Sequence, residues 1–298
     1  MKFKTIGVIT KPQAEPARET LHALFTFLKN KNCHVILDQK IPDNIVSSAL
    51  NNKVADQFES ASRETIGKKC DLVIVVGGDG SILNAVRSLS HAQVPLVGIN
   101  AGRLGFLADI SPDELESSLE DILNGSYREE QRFLLEMQVL RDNKVIFEAD
   151  AFNEVVVHIR DIARMIEFET RINDEFVNHQ RADGIVVATP TGSTAYALSA
   201  GGPLLHATLD ALTLVPISPH TLSSRPLVVH SDSQIDILIC DAKEGIAQAT
   251  CDGHSSTDVH VGDHIKIKRK EGKVILLHPK KHNHYEILRA KLNWSEHS

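Results

Sequence analysis

Residues 77–80 read Gly-Gly-Asp-Gly, one carboxylate among three glycines. The tetrapeptide follows an unbroken apolar run, Leu72 to Val76, of the kind buried on both faces in a parallel sheet. After it the period changes, and Ile82, Leu83, Val86 and Leu89 fall at helical spacing. The glycines therefore sit where a strand's carboxyl end meets a helix's amino end. Unpaired amides and the helix dipole make such a junction attract anions, and glycines admit a ligand close to the main chain. Gly77, Gly78, Gly80 and Ser81 are the expected phosphate contacts. Asp79 is out of character there, because a carboxylate repels phosphate. It could hold a magnesium ion or take a proton from an attacking hydroxyl, and either role implies phosphoryl chemistry. The plainer alternative is an Asp-Gly turn that caps the helix.

Two further stretches carry polar groups where core residues would fit. In AFNEVVVHI (151–159), Asn153 and Glu154 interrupt an apolar strand. An unpaired buried charge is costly, so these side chains are expected to face a cleft or ligand, the amide suiting a base edge and the carboxylate a ribose diol. A bulge or strand end whose polar groups meet water is the alternative. The second stretch, RADGIVVATPTGSTAYALSAGGP (181–203), is low in bulk. Asp183-Gly184 precedes a strand, and Thr189 to Thr194 form a hydroxyl-rich turn before Ala195-Tyr196-Ala197-Leu198-Ser199. Small residues let a flat ligand approach, hydroxyls and amides supply hydrogen bonds, and Tyr196 could stack on a ring. The composition is not that of a Gly/Ser linker.

Other candidates carry less. The fifteen histidines include the cluster HPKKHNHY (278–285), but no HExxH or His-Cys spacing appears, so His278, His282 and His284 are expected to be solvated. Arg103 reads as a solvated loop arginine. There is no Walker A lysine motif and no kinase HRD and DFG set, so a phosphoryl donor must be held by other means.

The elements that position these residues change character along the chain. The first third alternates strand (4–10, 33–37, 72–76, 94–100) with helix (16–30, from Ser81, 111–125), which implies a parallel sheet. Residues 38–68 lack a clear period and read as a helix plus loop. From about residue 131 the segments FLLEMQVLRD, KVIFEADAFNEVVVHI, ARMIEFETRINDEFVNHQRADGIVVAT, QIDILICDA and HIKIKRKEGKVILLH are β-rich, several alternating as antiparallel strands do. The expected organisation is an α/β domain at 1–128 with a parallel, Rossmann-like sheet, a β-rich domain at 129–277, and a segment at 278–298 whose short helix (284–294) packs back on the first.

Composition narrows the function classes. The 298 residues suit two domains, and 42% apolar with 24% charged residues is ordinary soluble composition. A net charge of -7 argues against nucleic acid or an anionic membrane as partner. No segment approaches the roughly 20 apolar residues of a membrane span. MKFKTIGVIT is too short for a signal peptide and reads as a first strand. Cys33, Cys70, Cys240 and Cys251 show no CxxC pairing, which fits reduced thiols in a cytoplasm.

GGDG, Asn153-Glu154 and TPTGSTAYALSAGGP (189–203), taken in this order and spacing, resemble the NAD kinase family along most of the chain. NAGRLGFL (100–107) and the LHPK and KLNWS segments near the end are similar to those of its bacterial members. The resemblance implies transfer of the γ-phosphoryl of ATP to the 2′-hydroxyl of the adenosine ribose of NAD, giving NADP, with a divalent cation such as magnesium. It implies an α/β domain, a β-rich domain with the dinucleotide between them, and a homo-oligomer, dimer or tetramer. By similarity Asp79 is the base, and Asp79, Gly80, Asn153, Glu154, Arg164, Arg181, Asp183, Thr191 and the run Thr194, Ala195, Tyr196, Ala197, Leu198 and Ser199 line the NAD site. His254, in CDGH, stands where some relatives have a glutamine contact. The metal ligands are not assigned. GGDG turns also occur in phosphofructokinases and in diacylglycerol or sphingosine kinases, so a sugar or lipid hydroxyl is an alternative acceptor. A dinucleotide sensor without activity is the alternative from another class, against which the carboxylate of Asp79 argues.

Overall fold

The first strand, β1 (Thr5–Thr10), buries five of its six residues, as a strand covered on both faces must. In the computed structural model, which describes residues 2–11, 17–49, 58–102, 104–160, 165–242 and 247–294, it is an interior strand of a parallel sheet. After β1 come α1 (Ala17–Asn30), β2 (His34–Asp38), α2 (Asp43–Ala49), β3 (Glu59–Ala61), α3 (Arg63–Lys69), β4 (Leu72–Val76), α4 (Asp79–Leu89), β5 (Leu96–Ile99), α5 (Leu115–Leu123) and β6 (Tyr127–Arg132). β1 pairs in parallel with β2 and β4, and β4 with β5. Helix α1 buries Leu21, Leu24, Phe25 and Leu28, the face its periodicity predicts. The region 38–68, without a legible period, holds α2, β3 and the start of α3, which is set by long-range polar contacts. Arg63 opens α3 by donating from Nε to the buried Asp38 at 2.6 Å, and the Ser62 side chain caps the helix.

The chain forms two compact units, 1–131 with 274–298, and 132–273. The second begins with β7 (Leu135–Arg141), β8 (Lys144–Ala151), β9 (Glu154–Ile159), β10 (Ile166–Ile172), β11 (Glu175–Ala182) and β12 (Gly184–Ala188). It continues through α6 (Tyr196–Ser199), β13 (Ala211–Ile217), β14 (Leu227–His230), β15 (Ile235–Asp241), β16 (Ala247–Cys251), β17 (Ser255–Val259) and β18 (His264–Arg269). These strands make two antiparallel six-stranded sheets, ordered β11-β10-β15-β18-β7-β8 and β14-β13-β12-β9-β16-β17. Alternate residues of both, such as Met137, Phe168 and Ile237 from one and Val155, Val187 and Ala249 from the other, share one core. This is the packing of a β-sandwich. Turn residues Asp142 (φ 49°) and Asn143 (φ 59°) take the left-handed backbone that a two-residue hairpin requires.

The chain then returns to the first unit as β19 (Val274–Pro279) and α7 (His284–Leu292). β19 lies between β5 and β6 in the order β3-β2-β1-β4-β5-β19-β6, parallel to β5. The sequence reading had assigned VILLH to the β-rich region. Its run is apolar on both faces rather than alternating, which suits the centre of a parallel sheet. The four cysteines are free thiols, and no helix among the described residues is long and apolar enough to cross a membrane.

Candidate functional site

In the first unit the strand-to-helix junction forms as the period change predicts. Gly77 has φ +149°, and a Cβ there would stand 2.3 Å from Ser81 Oγ, so the turn admits only glycine. A methyl on Gly78 or Gly80 would meet nothing within 4 Å. Packing gives no reason for their bareness, whereas a phosphate brought against the amides of the first turn of α4 does.

The Asp79 carboxylate does not cap α4, whose N-cap is Gly78 and has no side-chain bond. It reaches across to the loop after β5 and takes three successive amides: Phe106 on Oδ2 at 2.9 Å, Leu107 on Oδ1 at 2.9 Å and Ala108 on Oδ1 at 3.2 Å. A carboxylate offers about four lone-pair sites, so these bonds leave about one, on Oδ2. The loop approaches this closely because residue 105 is glycine; a Cβ there would lie 2.1 Å from Asp79 Oδ1. Gly105 lies in the NAGRLGFL stretch, and through these bonds the GGDG turn and the loop after β5 are one structure. Arg103 lies outside the described residues.

In the second unit, sheet register gathers the remaining motifs. β9 lies between β12 and β16, with Glu154 opposite Ala188 and Val155 opposite Cys251. The start of β9, the turn after β12 and the turn after β16 therefore meet at one end of one sheet. Asn153 and Glu154 do not interrupt a strand as expected. β8 ends at Ala151 and β9 begins at Glu154, so the pair marks a strand start. It is nevertheless not left to water: Glu154 is only 7% exposed and its Oε2 has no partner. Burial, and then the nearby charge of Asp252, push its carboxyl up to about 8.

Asp252 is the residue that sequence reasoning missed. Its carboxylate takes the amides of Phe152 on Oδ2 at 2.9 Å and of Asn153 and Glu154 on Oδ1 at 2.8 and 3.2 Å. The available signal was the Asp-Gly pair of a hairpin turn, with φ 50° at Asp252 and 61° at Gly253. His254, in the same turn, is exposed and donates its amide to Cys251 O.

The hydroxyl-rich turn is more self-contained than its composition suggested. Thr189 Oγ1 donates to Phe152 O, Ser193 Oγ to Pro190 O and Thr194 Oγ1 to Thr191 O. The first of these holds the turn against the 152–154 segment and the other two brace the turn itself, and Gly192 is needed because a Cβ would lie 2.2 Å from Asn153 O. Thr191 is 9% exposed. Ala197 is fully buried among Val156, Val186, Ala188 and Val215, which removes its side chain from any ligand surface. Ala195 and Leu198 are half-buried, Ser199 is exposed, and the Tyr196 ring is 45% exposed and can stack.

Register separates Arg181 and Asp183 from this cluster. Gly184 pairs with His158, at the opposite end of β12 from Ala188, about 13 Å away at ~3.4 Å per residue. Arg181 lies 3.9 Å from Glu167 Oε1. Arg164 is outside the described residues. His278 and His282 contradict the expectation of solvation: their side chains are 2% and 3% exposed and face Asp109. His284 opens α7.

Comparison with known proteins places this geometry. Residues 6–127 match the family description "ATP-NAD kinase N-terminal domain", and 152–278 match "ATP-NAD kinase C-terminal domain". The NAD kinase of Chromohalobacter salexigens is 46% identical over 293 residues, 98% of this chain and 97% of that protein. That of Cellvibrio japonicus is 45% identical over 295 residues, 99% and 97% of the two chains. Among solved structures, yeast NADH kinase complexed with NADH superposes with a TM-score of 0.87 at 25% identity, covering 100% of this chain and 89% of that one. An NAD kinase from Archaeoglobus fulgidus in complex with ATP gives 0.74 at 26% identity, covering 97% and 98%. The GGDG turn and the motifs gathered around Glu154 thus stand in a two-domain architecture shared with those enzymes, and the chain belongs to the NAD kinase family.

Proposed function

We propose that the chain transfers the γ-phosphoryl of ATP to the 2′-hydroxyl of the adenosine ribose of NAD, giving NADP. The observation that carries the acceptor side is Glu154: a buried carboxyl without a partner on Oε2, at the point where three motifs converge. Such a group is costly unless a ligand completes it. Held largely protonated at neutral pH by burial, it can donate to a ligand oxygen as well as accept. Asn153, Thr191, Thr194, Ala195, Leu198, Ser199 and His254 are the proposed companions, with Tyr196 offering a stacking face and Ala197 packing beneath them. Arg164, Arg181 and Asp183 stay in the proposal as a separate patch.

On the donor side, the amides of Gly78 and Gly80 receive phosphate oxygens; the Ser81 amide already donates to Gly78 O at 2.8 Å, so Ser81 takes part through its hydroxyl. Asp79 accepts the 2′-hydroxyl proton on the open lone pair of Oδ2. A ribose hydroxyl is a weak nucleophile near neutral pH, so proton removal by a fixed carboxylate supplies both activation and position. Three amide bonds hold that carboxylate still, so little reorganisation accompanies proton transfer.

A magnesium ion would neutralise charge on the transferred phosphoryl group. Magnesium is commonly held by one or two carboxylates with substrate phosphates and water. With the single open site on Asp79 given to the proton, the cation would be carried mainly by the triphosphate rather than by a protein cage. The test is NADP formation by the full chain with ATP, magnesium and NAD, run beside arms with polyphosphate, NADH, a sugar phosphate and diacylglycerol. Phosphorylation of NAD or NADH alone is expected. Turnover only with the lipid or sugar, or NAD binding without turnover under any metal, would overturn the reading.

A further inference from the structure

Asp109, His278, His282 and Glu130 form a buried cluster in the first unit, with side chains 5%, 2%, 3% and 3% exposed. The phosphoryl-transfer reading uses none of them. Asp109 Oδ2 takes the Nδ1 hydrogens of both imidazoles, at 2.9 Å from His278 and 2.6 Å from His282. Those two bonds fix both tautomers, so each Nε2 presents a lone pair on the far edge of its ring. Neither Nε2 has a hydrogen-bond partner. Both face the Glu130 carboxylate, His278 Nε2 at 3.9 Å from Oε2 and His282 Nε2 at 3.9 Å from Oε1.

Two buried imidazole nitrogens without a hydrogen-bond partner thus face a carboxylate from beyond hydrogen-bond reach. A zinc-class cation has arms of about 2.0–2.1 Å to imidazole and carboxylate, so it spans such a gap with small ring movements. The outer arrangement is the one such sites use: ligating histidines donate their other N–H to a carboxylate that sets ring orientation. Two imidazoles and one carboxylate select a borderline transition metal over magnesium or calcium. Arg128 Nε lies 3.2 Å from Glu130 Oε1 and helps hold that carboxylate in place.

We propose that His278 and His282, through Nε2, and Glu130 bind one zinc-class divalent cation, with Asp109 as the carboxylate that orients both histidines. The site is distinct from the GGDG turn and independent of the phosphoryl-transfer reading. It would tie β19, the start of α7 and β6 to the loop whose preceding residues, 106–108, hold Asp79. The rival is a pair of imidazolium ions neutralised by the two carboxylates.

The full chain, without a histidine tag and stripped on a chelating resin, should bind one equivalent of zinc by calorimetry. Cobalt should give the visible absorption of a four-coordinate site. Asp109→Asn should weaken zinc binding about 10- to 100-fold and His282→Gln by more. His282→Cys should restore binding with a cobalt–thiolate charge-transfer band. His91→Gln, at an exposed histidine, should leave binding unchanged. Because both histidine side chains are buried, circular dichroism of each variant accompanies the binding, and the folded His282 series decides. Equal zinc affinity in wild type and His282→Gln, or nitrogen NMR showing both rings protonated on both nitrogens with zinc present, would overturn the proposal.

Discussion

Asp79 in the first unit and Asp252 in the second make the same bonds. Each stands before a glycine and takes three successive amides beginning at a phenylalanine, the first on Oδ2 and the next two on Oδ1. What adjoins the gripped tripeptide differs. After 106–108 comes Asp109, whose Oδ2 two imidazoles satisfy although its Oδ1 has no partner; within 152–154 sits Glu154, whose Oε2 nothing satisfies and to which no imidazole bonds among the described residues. Burial raises both carboxyls. At Asp109 the imidazole hydrogen bonds outweigh it and hold the group at about 2, whereas at Glu154 burial wins, aided by Asp252, and the group rises to about 8. Burial alone therefore does not set protonation. The partner does, and a group left without one is where a ligand is expected.

If the two aspartates differ in chemistry and not only in place, their variants must part. Asp79→Asn should lower turnover by on the order of 10² to 10⁴ while NAD affinity changes little, because it removes the proton acceptor. Steady-state kinetics beside calorimetric NAD binding checks this; full turnover in a folded variant would reject the assignment. Asp252→Ala removes the acceptor of three amides and should cost roughly 3 kcal/mol in urea unfolding, bonds to charged groups being the stronger kind. It should also bring the Glu154 carboxyl down toward its ordinary range, visible in the pH profile of NAD binding.

Gly105→Ala sharpens the same contrast from the loop side. Its Cβ would lie 2.1 Å from Asp79 Oδ1, so the carboxylate must move, and a displacement near 1 Å can cost up to about 10²-fold. A loss in turnover without a comparable loss in NAD affinity is expected.

Glu154→Gln gives an effect of opposite sign on stability. In the folded protein Glu154 keeps its proton to about pH 8, whereas the unfolded chain releases it near the ordinary 4.5. The unfolded state therefore binds fewer protons between these values, and stability falls as pH rises from 4.5 to 8. The glutamine variant lacks this penalty. It should be more stable by roughly 3 kcal/mol at pH 7, with the gap closing below pH 4.5, while binding NAD more weakly. Equal pH dependence of unfolding in both proteins would show Glu154 to be ordinarily ionised.

Much of this was legible in the chain. The apolar run Leu72–Val76 is a strand at those residues, and α1 buries the face its spacing marks. The alternating segments after residue 131 are the antiparallel strands of the sandwich. Where reading failed, the deciding contact was distant. Thr189, Ser193 and Thr194 looked like ligand donors, yet all three bond main-chain carbonyls, two of them within the turn itself. His278 and His282 looked solvated beside lysines, but β19 carries the first into a sheet and the Asp109 contact buries the second.

The sequence by itself determined the local elements and the chemistry they carry: a strand, a glycine turn with one carboxylate, a helix, and two polar motifs in apolar surroundings. Periodicity encodes these because the 2-residue and 3.6-residue repeats are properties of neighbours along the chain. Only tertiary structure decided which amides close on the two aspartates, 27 to 29 residues from Asp79 and 98 to 100 from Asp252. It also decided that VILLH joins the first sheet and that Glu154 is left without a partner. A hydrogen bond's partner is fixed by sheet order and register, which depend on the packing of the whole core and leave no period to read.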